Sequence, residues 1–174
     1  LGCNKSFCAA YWQTQDVKPD SIHTMCNGES FKPIYQRTIS MIPDSTHQNN
    51  RYEQAITKKC IEHSGKSVQA VISDWIVKFG KREIDRTKLP LSQAEIISPQ
   101  SHLCNDCYSK LVGFLLYWFR VSMPKSDIPL EASDRQDCWY GHACRTQHHN
   151  LDHAEKRNHV CRPTRGNPNT PLTS

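Results

Sequence analysis

Three stretches of the chain carry the apolar periodicity of helices. Between residues 68 and 80, apolar side chains recur three and four positions apart, and Gly80 supplies a stop. A weaker stripe follows Asn50, where Asn50 and Glu53 resemble a capping box, and it ends at Gly65. From about Asp106 to Val121 the pattern is apolar on nearly every side. The three stripes predict helices that form a hydrophobic core, not a cofactor site.

The remaining segments are shorter or more polar. Ser92 and Glu95 suggest a short helix after Pro90. Residues 124–133 contain two prolines and are predicted to be an extended linker, whereas residues 167–174 are rich in Pro, Asn and Thr and are predicted to be disordered. The longest apolar run lies within the third helix and is too short to span a membrane.

Composition indicates that this core needs additional support. Apolar residues make up 37% of the 174 residues, which is low for a globular domain. Nine cysteines, an odd number, accompany nine histidines, and this combination favours an intracellular zinc protein over a disulfide-linked one. The predicted fold is mainly α, a zinc-stapled helical domain in residues 1–123 followed by a small, loop-rich zinc finger of the C2H2 type in residues 134–166.

The finger segment contains two cysteines and two histidines with the spacing C-x5-C-x8-H-x5-H, and thiolate with imidazole is a ligand set that Zn²⁺ prefers. Only eight residues separate the inner ligands, too few for the strand and recognition helix of a DNA-reading finger. His149 could replace the first histidine and Cys161 the second. The predicted ligands are Cys138, Cys144, His153 and His159.

A second zinc site is predicted around the C-x2-C pair at the start of the third helix, so the expected cofactor is two zinc ions. The two further ligands would come from the N-terminal segment, with His23 and Cys26 as alternatives. Cys60 lies on an apolar helix face and is predicted to be a buried thiol. The four ligands of the second site would be Cys3, Cys8, Cys104 and Cys107.

The motifs DCWYGHACRTQ and KRNHVC resemble the poly(ADP-ribose)-binding zinc finger of the checkpoint ubiquitin ligases with forkhead-associated and RING domains. GCNKSFCAAYW and CNDCYSKL resemble the cysteine-rich region that precedes the finger in that family, whereas the middle of the chain matches it only loosely. Arg145 and Thr146 stand where the wider finger family has Tyr and Arg, a departure that the checkpoint branch shares.

The resemblance implies that Tyr140 stacks on adenine, with Trp139 beside it or packed against the helical domain. Stacking on an aromatic ring and a guanidinium on phosphate are interactions that suit ADP-ribose. The expected ADP-ribose contacts are Trp139, Tyr140, Arg145, Thr146 and Gln147. The short linker further predicts that the finger is docked on the helical domain, which would form part of the wall of the ADP-ribose pocket.

The resemblance also implies a function for the longer protein. That protein would be a nuclear RING-type E3 ubiquitin ligase that works with a ubiquitin-conjugating enzyme, and this region would direct it to poly(ADP-ribosyl)ated targets. No catalytic constellation is found in the present sequence. The alternative is a zinc-stabilised protein-interaction or nucleic-acid-binding module. Residues 134–166 contain six Lys/Arg and four acidic residues, a small excess for nucleic-acid binding.

Overall fold

The computed structural model describes residues 32–167 and 171–172. This part of the chain is mainly helical, which confirms the predicted fold class at that level, and its only sheet is one parallel pair of two-residue strands in register Gln136 with Arg157. The helices are α1 (Arg51–His63), α2 (Val68–Gly80), α3 (Asn105–Ser122), α4 (Leu130–Ser133) and α5 (Leu151–Lys156), and the strands are β1 (Gln136–Asp137) and β2 (Arg157–Asn158).

The core is built where α2 and α1 pack against α3. Ser67 caps α2 by accepting a hydrogen bond from the Ala70 backbone, and the α2 stripe of residues 71, 72, 75, 76 and 79 is buried as predicted. Phe79 of α2 meets Phe114 of α3 edge to face, with ring centroids 6.2 Å apart. The aromatic and aliphatic side chains of α3 occupy the centre of the core, so the predicted central helix is confirmed.

The start of α1 is only partly as predicted. Asn50 is the N-cap, because its side-chain oxygen accepts hydrogen bonds from the backbone amides of Tyr52 and Glu53. The reciprocal bond of a capping box is absent: the Asn50 amide donates to the His47 carbonyl instead. The Glu53 carboxylate turns into the protein interior, where it is fully buried. Cys60 on the same helix is a buried thiol, as predicted.

The short helix expected after Pro90 is reduced to a single 3-10 turn, Ala94–Ile96, preceded by a left-handed residue at Gln93 (φ 57°). Arg86 explains the difference. Its guanidinium donates to the carbonyl groups of Ala94, Glu95 and Ile97 at 2.8–3.3 Å. These carbonyls therefore have a side-chain donor in place of the amides of a following helical turn.

The linker is more structured than expected. It contains a 3-10 turn, Lys125–Asp127, and α4, and each begins directly after a proline. Proline excludes a helix interior but is tolerated at a helix start, so here it begins the turns. Ala132 of α4 packs on Ile56 and Cys60.

The C-terminal segment also departs from the predicted disorder at Leu172. This side chain is buried, and its backbone amide donates to the Lys88 carbonyl at 3.1 Å. Burial of an apolar side chain provides the anchor that the polar composition of the segment did not indicate. In the described part of the chain no helix is long and apolar enough to cross a membrane.

Candidate metal centre

Four cysteine and histidine side chains converge in the C-terminal segment. Cys138 follows β1, Cys144 follows the 3-10 turn Gly141–Ala143, His153 lies in α5, and His159 follows β2. One ligand atom from each lies within 4.8 Å of the other three. The two histidines come from different elements, as their spacing requires. The structure thus brings together the four residues predicted as ligands of the finger zinc.

The distances within this cluster suit zinc. Nε2 of His153 lies 3.7 Å from Sγ of Cys138 and 3.4 Å from Sγ of Cys144. A thiolate sulfur and an imidazole nitrogen bound to one tetrahedral zinc ion lie roughly 3.6 Å apart. Neither ring nitrogen of the buried His159 has a hydrogen-bond partner within the described residues. Binding a metal would satisfy one of these nitrogens, so the residues fit the ion.

A tight turn at Gly141 allows both cysteines to face the same point. Gly141 has φ +50°, and a Cβ atom there would lie 2.8 Å from the carbonyl oxygen of Cys161. Both the backbone angle and this close approach favour glycine. The turn is completed when the Cys144 amide donates to the Gly141 carbonyl at 3.1 Å.

The two alternative ligands lie outside the cluster. The cluster contains neither His149, which is exposed, nor Cys161. Sγ of Cys161 is 3.5 Å from the carbonyl of Cys138 and 3.4 Å from that of Asn158. Burial, reinforced by the charge of Asp137, raises the pKa of Cys161 to about 12, so this thiol keeps its proton at neutral pH.

A carboxylate from α1 contacts one of the four cluster residues. Oε1 of Glu53 accepts a hydrogen bond from the backbone amide of His159 at 2.8 Å and lies 3.1 Å from Nη2 of Arg135. Oε2 lies 3.5 Å from Nη2 of Arg120. Burial by itself raises the pKa of Glu53, but the nearby His159 ring, the hydrogen bond from the His159 backbone amide and the charges of Arg120 and Arg135 outweigh it and lower the pKa to about 2. Glu53 is therefore ionised in the interior.

The second predicted site is only partly covered by the structure. Cys104 and Cys107 are both buried at the start of α3. Cys3 and Cys8, together with the alternatives His23 and Cys26, lie outside the described residues. The finger cluster is the only group of three or more potential ligands in the described residues, so the second zinc stays a prediction.

A cavity of about 210 Å³ opens beside the metal cluster. Trp139 and Tyr140 contribute to its wall and are 58% and 47% exposed. Thr146 and Arg157 also line the cavity. The helical domain supplies no lining residue, which differs from the expected wall between finger and domain. The full lining is Asp137, Cys138, Trp139, Tyr140, Cys144, Thr146, His153 and Arg157.

Two of the predicted ADP-ribose contacts lie elsewhere. Arg145 is exposed but is not part of the cavity wall. Gln147 is buried, and its side-chain amide donates to the carbonyls of His142 and Cys144 at 3.1 and 3.0 Å. Its side-chain oxygen accepts from Asn50 at 3.0 Å. The amide of Gln147 thus joins the segment around the metal cluster to the N-cap of α1.

For three residues the sequence indicated no role in this region. Arg157 lines the cavity, and its position two residues before a metal ligand was the signal that could have indicated it. The Arg165 guanidinium lies 3.8 Å from the centre of the Trp139 ring, a cation–π contact. Arg165 and Glu53 are far along the chain from their partners, so spacing could not identify them.

Comparison with known protein families identifies the N-terminal part of the chain. The model of a family described as "Cysteine rich domain with multizinc binding regions" matches residues 1–123. Such a family, together with the Cys/His cluster of the finger segment, supports zinc as the metal. The match covers more than half of the chain.

Several curated proteins are similar over nearly the whole chain. E3 ubiquitin-protein ligase CHFR from Mus musculus is 29% identical over 163 residues, which cover 94% of this chain and 22% of the relative. The protein of that name from Danio rerio is 27% identical over 165 residues, 95% of this chain and 24% of the relative. The chain therefore spans between a fifth and a quarter of the length of these relatives. The predicted resemblance to the cysteine-rich region of these E3 ubiquitin-protein ligases is confirmed.

Proposed function

The chain belongs to the family of cysteine-rich domains with multizinc binding regions, and from that premise we propose that its C-terminal segment binds ADP-ribose units. Residues 1–123 are the helical cysteine-rich domain, residues 124–133 the linker, and residues 134–166 a zinc finger of the C2H2 type. Cys138, Cys144, His153 and His159 hold one zinc ion. Cys3, Cys8, Cys104 and Cys107 hold a second.

The observation that supports this proposal most is the exposure of Trp139 and Tyr140 beside the metal cluster. Both follow the ligand Cys138 directly, so bound zinc fixes the backbone that carries them. One face of Trp139 already contacts Arg165. Stacking of a base on an exposed aromatic ring contributes about 1–3 kcal/mol, and adenine offers such a base.

The phosphates of ADP-ribose need a cationic partner near these rings. Arg157 is the arginine in the cavity wall, and it replaces Arg145 as the first candidate. A guanidinium binds phosphate through two parallel hydrogen bonds, which makes arginine suited to the task. Arg145 is exposed on the same segment and is available to a further phosphate of a longer chain. Thr146 adds a hydroxyl group to the wall.

The longer protein is proposed to be an E3 ubiquitin ligase, since both relatives described above carry the name E3 ubiquitin-protein ligase and this chain spans only part of their length. We propose further that it is of the RING type. Its partners would be a ubiquitin-conjugating enzyme and poly(ADP-ribosyl)ated proteins, and its location the nucleus. Within that enzyme the present region would select the target and take no part in catalysis.

Isothermal titration of the zinc-loaded chain with ADP-ribose tests the binding proposal. Tyr140→Ala removes a stacking face and should weaken binding by about 1–3 kcal/mol, or roughly 5- to 150-fold. Tyr35→Ala is the matched control, because Tyr35 is 53% exposed and lies outside the cavity. Arg157→Ala should weaken binding similarly, with Arg51→Ala as its exposed control.

Zinc content must stay unchanged in all four variants for the comparison to hold. Equal affinities of the Tyr140 and Tyr35 variants would contradict the proposed surface. Absence of ADP-ribose binding, together with salt-sensitive binding to any polyanion, would favour the nucleic-acid alternative, since that mode depends on charge alone.

A further inference from the structure

Glu53 connects two regions that are far apart in sequence. It lies in the first turn of α1, within the helical domain, and contacts His159, a ligand of the finger cluster 106 positions later. Its side chain is fully buried, and Oε1 accepts the His159 backbone amide at 2.8 Å. A buried carboxylate is costly unless its oxygens are satisfied, so its contacts merit a functional explanation.

The same oxygen also faces the His159 ring. Nδ1 of His159 lies 3.7 Å from Oε1 of Glu53, slightly beyond hydrogen-bond distance, and has no hydrogen-bond partner within the described residues. If Nε2 binds the metal, Nδ1 is the nitrogen left to donate to this carboxylate. Histidines that bind metals commonly direct their second nitrogen at a carboxylate, which fixes the tautomer and strengthens the ligand.

We propose that Glu53 is a positioning residue for the metal centre: by holding the His159 backbone amide and placing its negative charge beside Nδ1, it makes the zinc affinity of the finger depend on the helical domain. This role is independent of ADP-ribose binding. The finger then lacks part of its metal support when it is separated from α1.

Two arginines hold the carboxylate in place. Arg135 lies 3.1 Å from Oε1 and Arg120 lies 3.5 Å from Oε2. Arg120 is held in turn by Thr57, whose hydroxyl accepts a hydrogen bond at 3.0 Å. Because both oxygens have cationic neighbours, the carboxylate cannot rotate away from His159 without separating buried charges.

The competing explanation is that Glu53 only neutralises these two arginines. Arg120→Met separates the two explanations, because it disrupts the same buried group but removes no atom that contacts His159. Glu53→Gln keeps an acceptor for the His159 amide but removes the negative charge that faces Nδ1. Glu62→Gln on the exposed side of α1 serves as a surface control.

The experiment uses the full chain and measures zinc affinity by chelator competition, the visible absorption spectrum after cobalt substitution, and the urea midpoint of the metal-free protein. Glu53→Gln should raise the zinc dissociation constant 10- to 100-fold, the range typical when a residue that contacts a metal-binding histidine is lost. It should also alter the cobalt spectrum. Arg120→Met removes the partner of Oε2 but leaves Oε1 with its contacts to Arg135 and the His159 amide, so it should lower the urea midpoint while changing zinc affinity by less than tenfold. Loss of zinc affinity in proportion to the urea midpoint in both variants would overturn the proposal.

A double-mutant cycle with His159→Cys isolates the ring contact. Cysteine can still bind zinc but has no Nδ1, so Glu53→Gln should cost clearly less affinity in that background than in the wild type. An equal loss in both backgrounds would refute a role for the ring. If Glu53→Gln fails to fold, Glu53→Asp replaces it throughout, since the shorter side chain keeps the charge and withdraws the oxygen from His159.

Discussion

The turn at Gly141 permits a sharp test of how the finger backbone is built. Gly141→Ala places a methyl group where the Cys161 carbonyl oxygen is only 2.8 Å away, at a residue with φ +50°. That oxygen also accepts a hydrogen bond from the Tyr117 hydroxyl of α3 at 3.0 Å. To relieve the clash, the chain must move either the Cys138–Cys144 turn or the Cys161 carbonyl, and the second movement disturbs the contact with the helical domain.

The cost has two parts that a control can separate. A residue with a Cβ in the left-handed region destabilises the folded state by about 1–2 kcal/mol. Replacing glycine by alanine also makes the unfolded chain less flexible, which offsets about 0.4–1 kcal/mol of that cost. Overpacking adds about 1–3 kcal/mol. Gly65→Ala carries only the first part, since Gly65 has φ +67° and open space around its Cβ position. We therefore expect Gly141→Ala to cost about 2–4 kcal/mol and Gly65→Ala about 1 kcal/mol or less.

The assay is urea unfolding of the zinc-loaded full chain, combined with a measurement of zinc affinity. Gly141→Ala should also weaken zinc binding, because the turn positions Cys144, whereas Gly65→Ala should leave it unchanged. Equal losses of stability in the two variants would refute the reasoning, since the close approach to the Cys161 carbonyl would then have no energetic consequence.

Three further predictions concern the metal centre. Cys138→Ala should abolish zinc binding at the finger but retain most of the helical circular dichroism, because α1 to α3 form their own core. Cys161→Ser should bind zinc as well as wild type in a chelator assay, and Cys161 should react slowly with iodoacetamide at neutral pH, because its pKa is raised to about 12. Zinc affinity measured between pH 8 and pH 5 should fall as pH falls, because protons compete with zinc for its nitrogen and sulfur ligands.

The helices of the core could be predicted because the burial of apolar side chains dominates their formation. In α2 the apolar positions alone specify the buried face, and in α3 nearly every position is apolar. The short helix predicted after Pro90 was wrong because the conformation of this segment depends on Arg86. The Arg86 guanidinium donates hydrogen bonds to three nearby carbonyls. A buried arginine cannot be recognised from local pattern, since arginine is usually exposed.

The cluster of Cys138, Cys144, His153 and His159 could be predicted for a different reason: its chemistry is rare and its spacing is short. The sequence left two positions open, and the fold separates them, because His149 and Cys161 lie outside the cluster that the ligand atoms form. Glu53 could not be predicted as a partner of His159. Its position after Asn50 suggested a capping box, and only the tertiary fold brings its carboxylate to the finger.

The contact between finger and helical domain is specified largely by buried polar groups. Glu53 accepts the His159 amide, Tyr117 donates to the Cys161 carbonyl at 3.0 Å, and Gln147 accepts from Asn50 at 3.0 Å. These contacts confirm the predicted docking. A buried donor or acceptor that loses its partner costs about 1–3 kcal/mol, so partial separation is penalised at each contact. Apolar contact alone would tolerate sliding, whereas these directional bonds permit one orientation. The exposed rings beside Cys138 are therefore held in a fixed direction relative to α1 and α3.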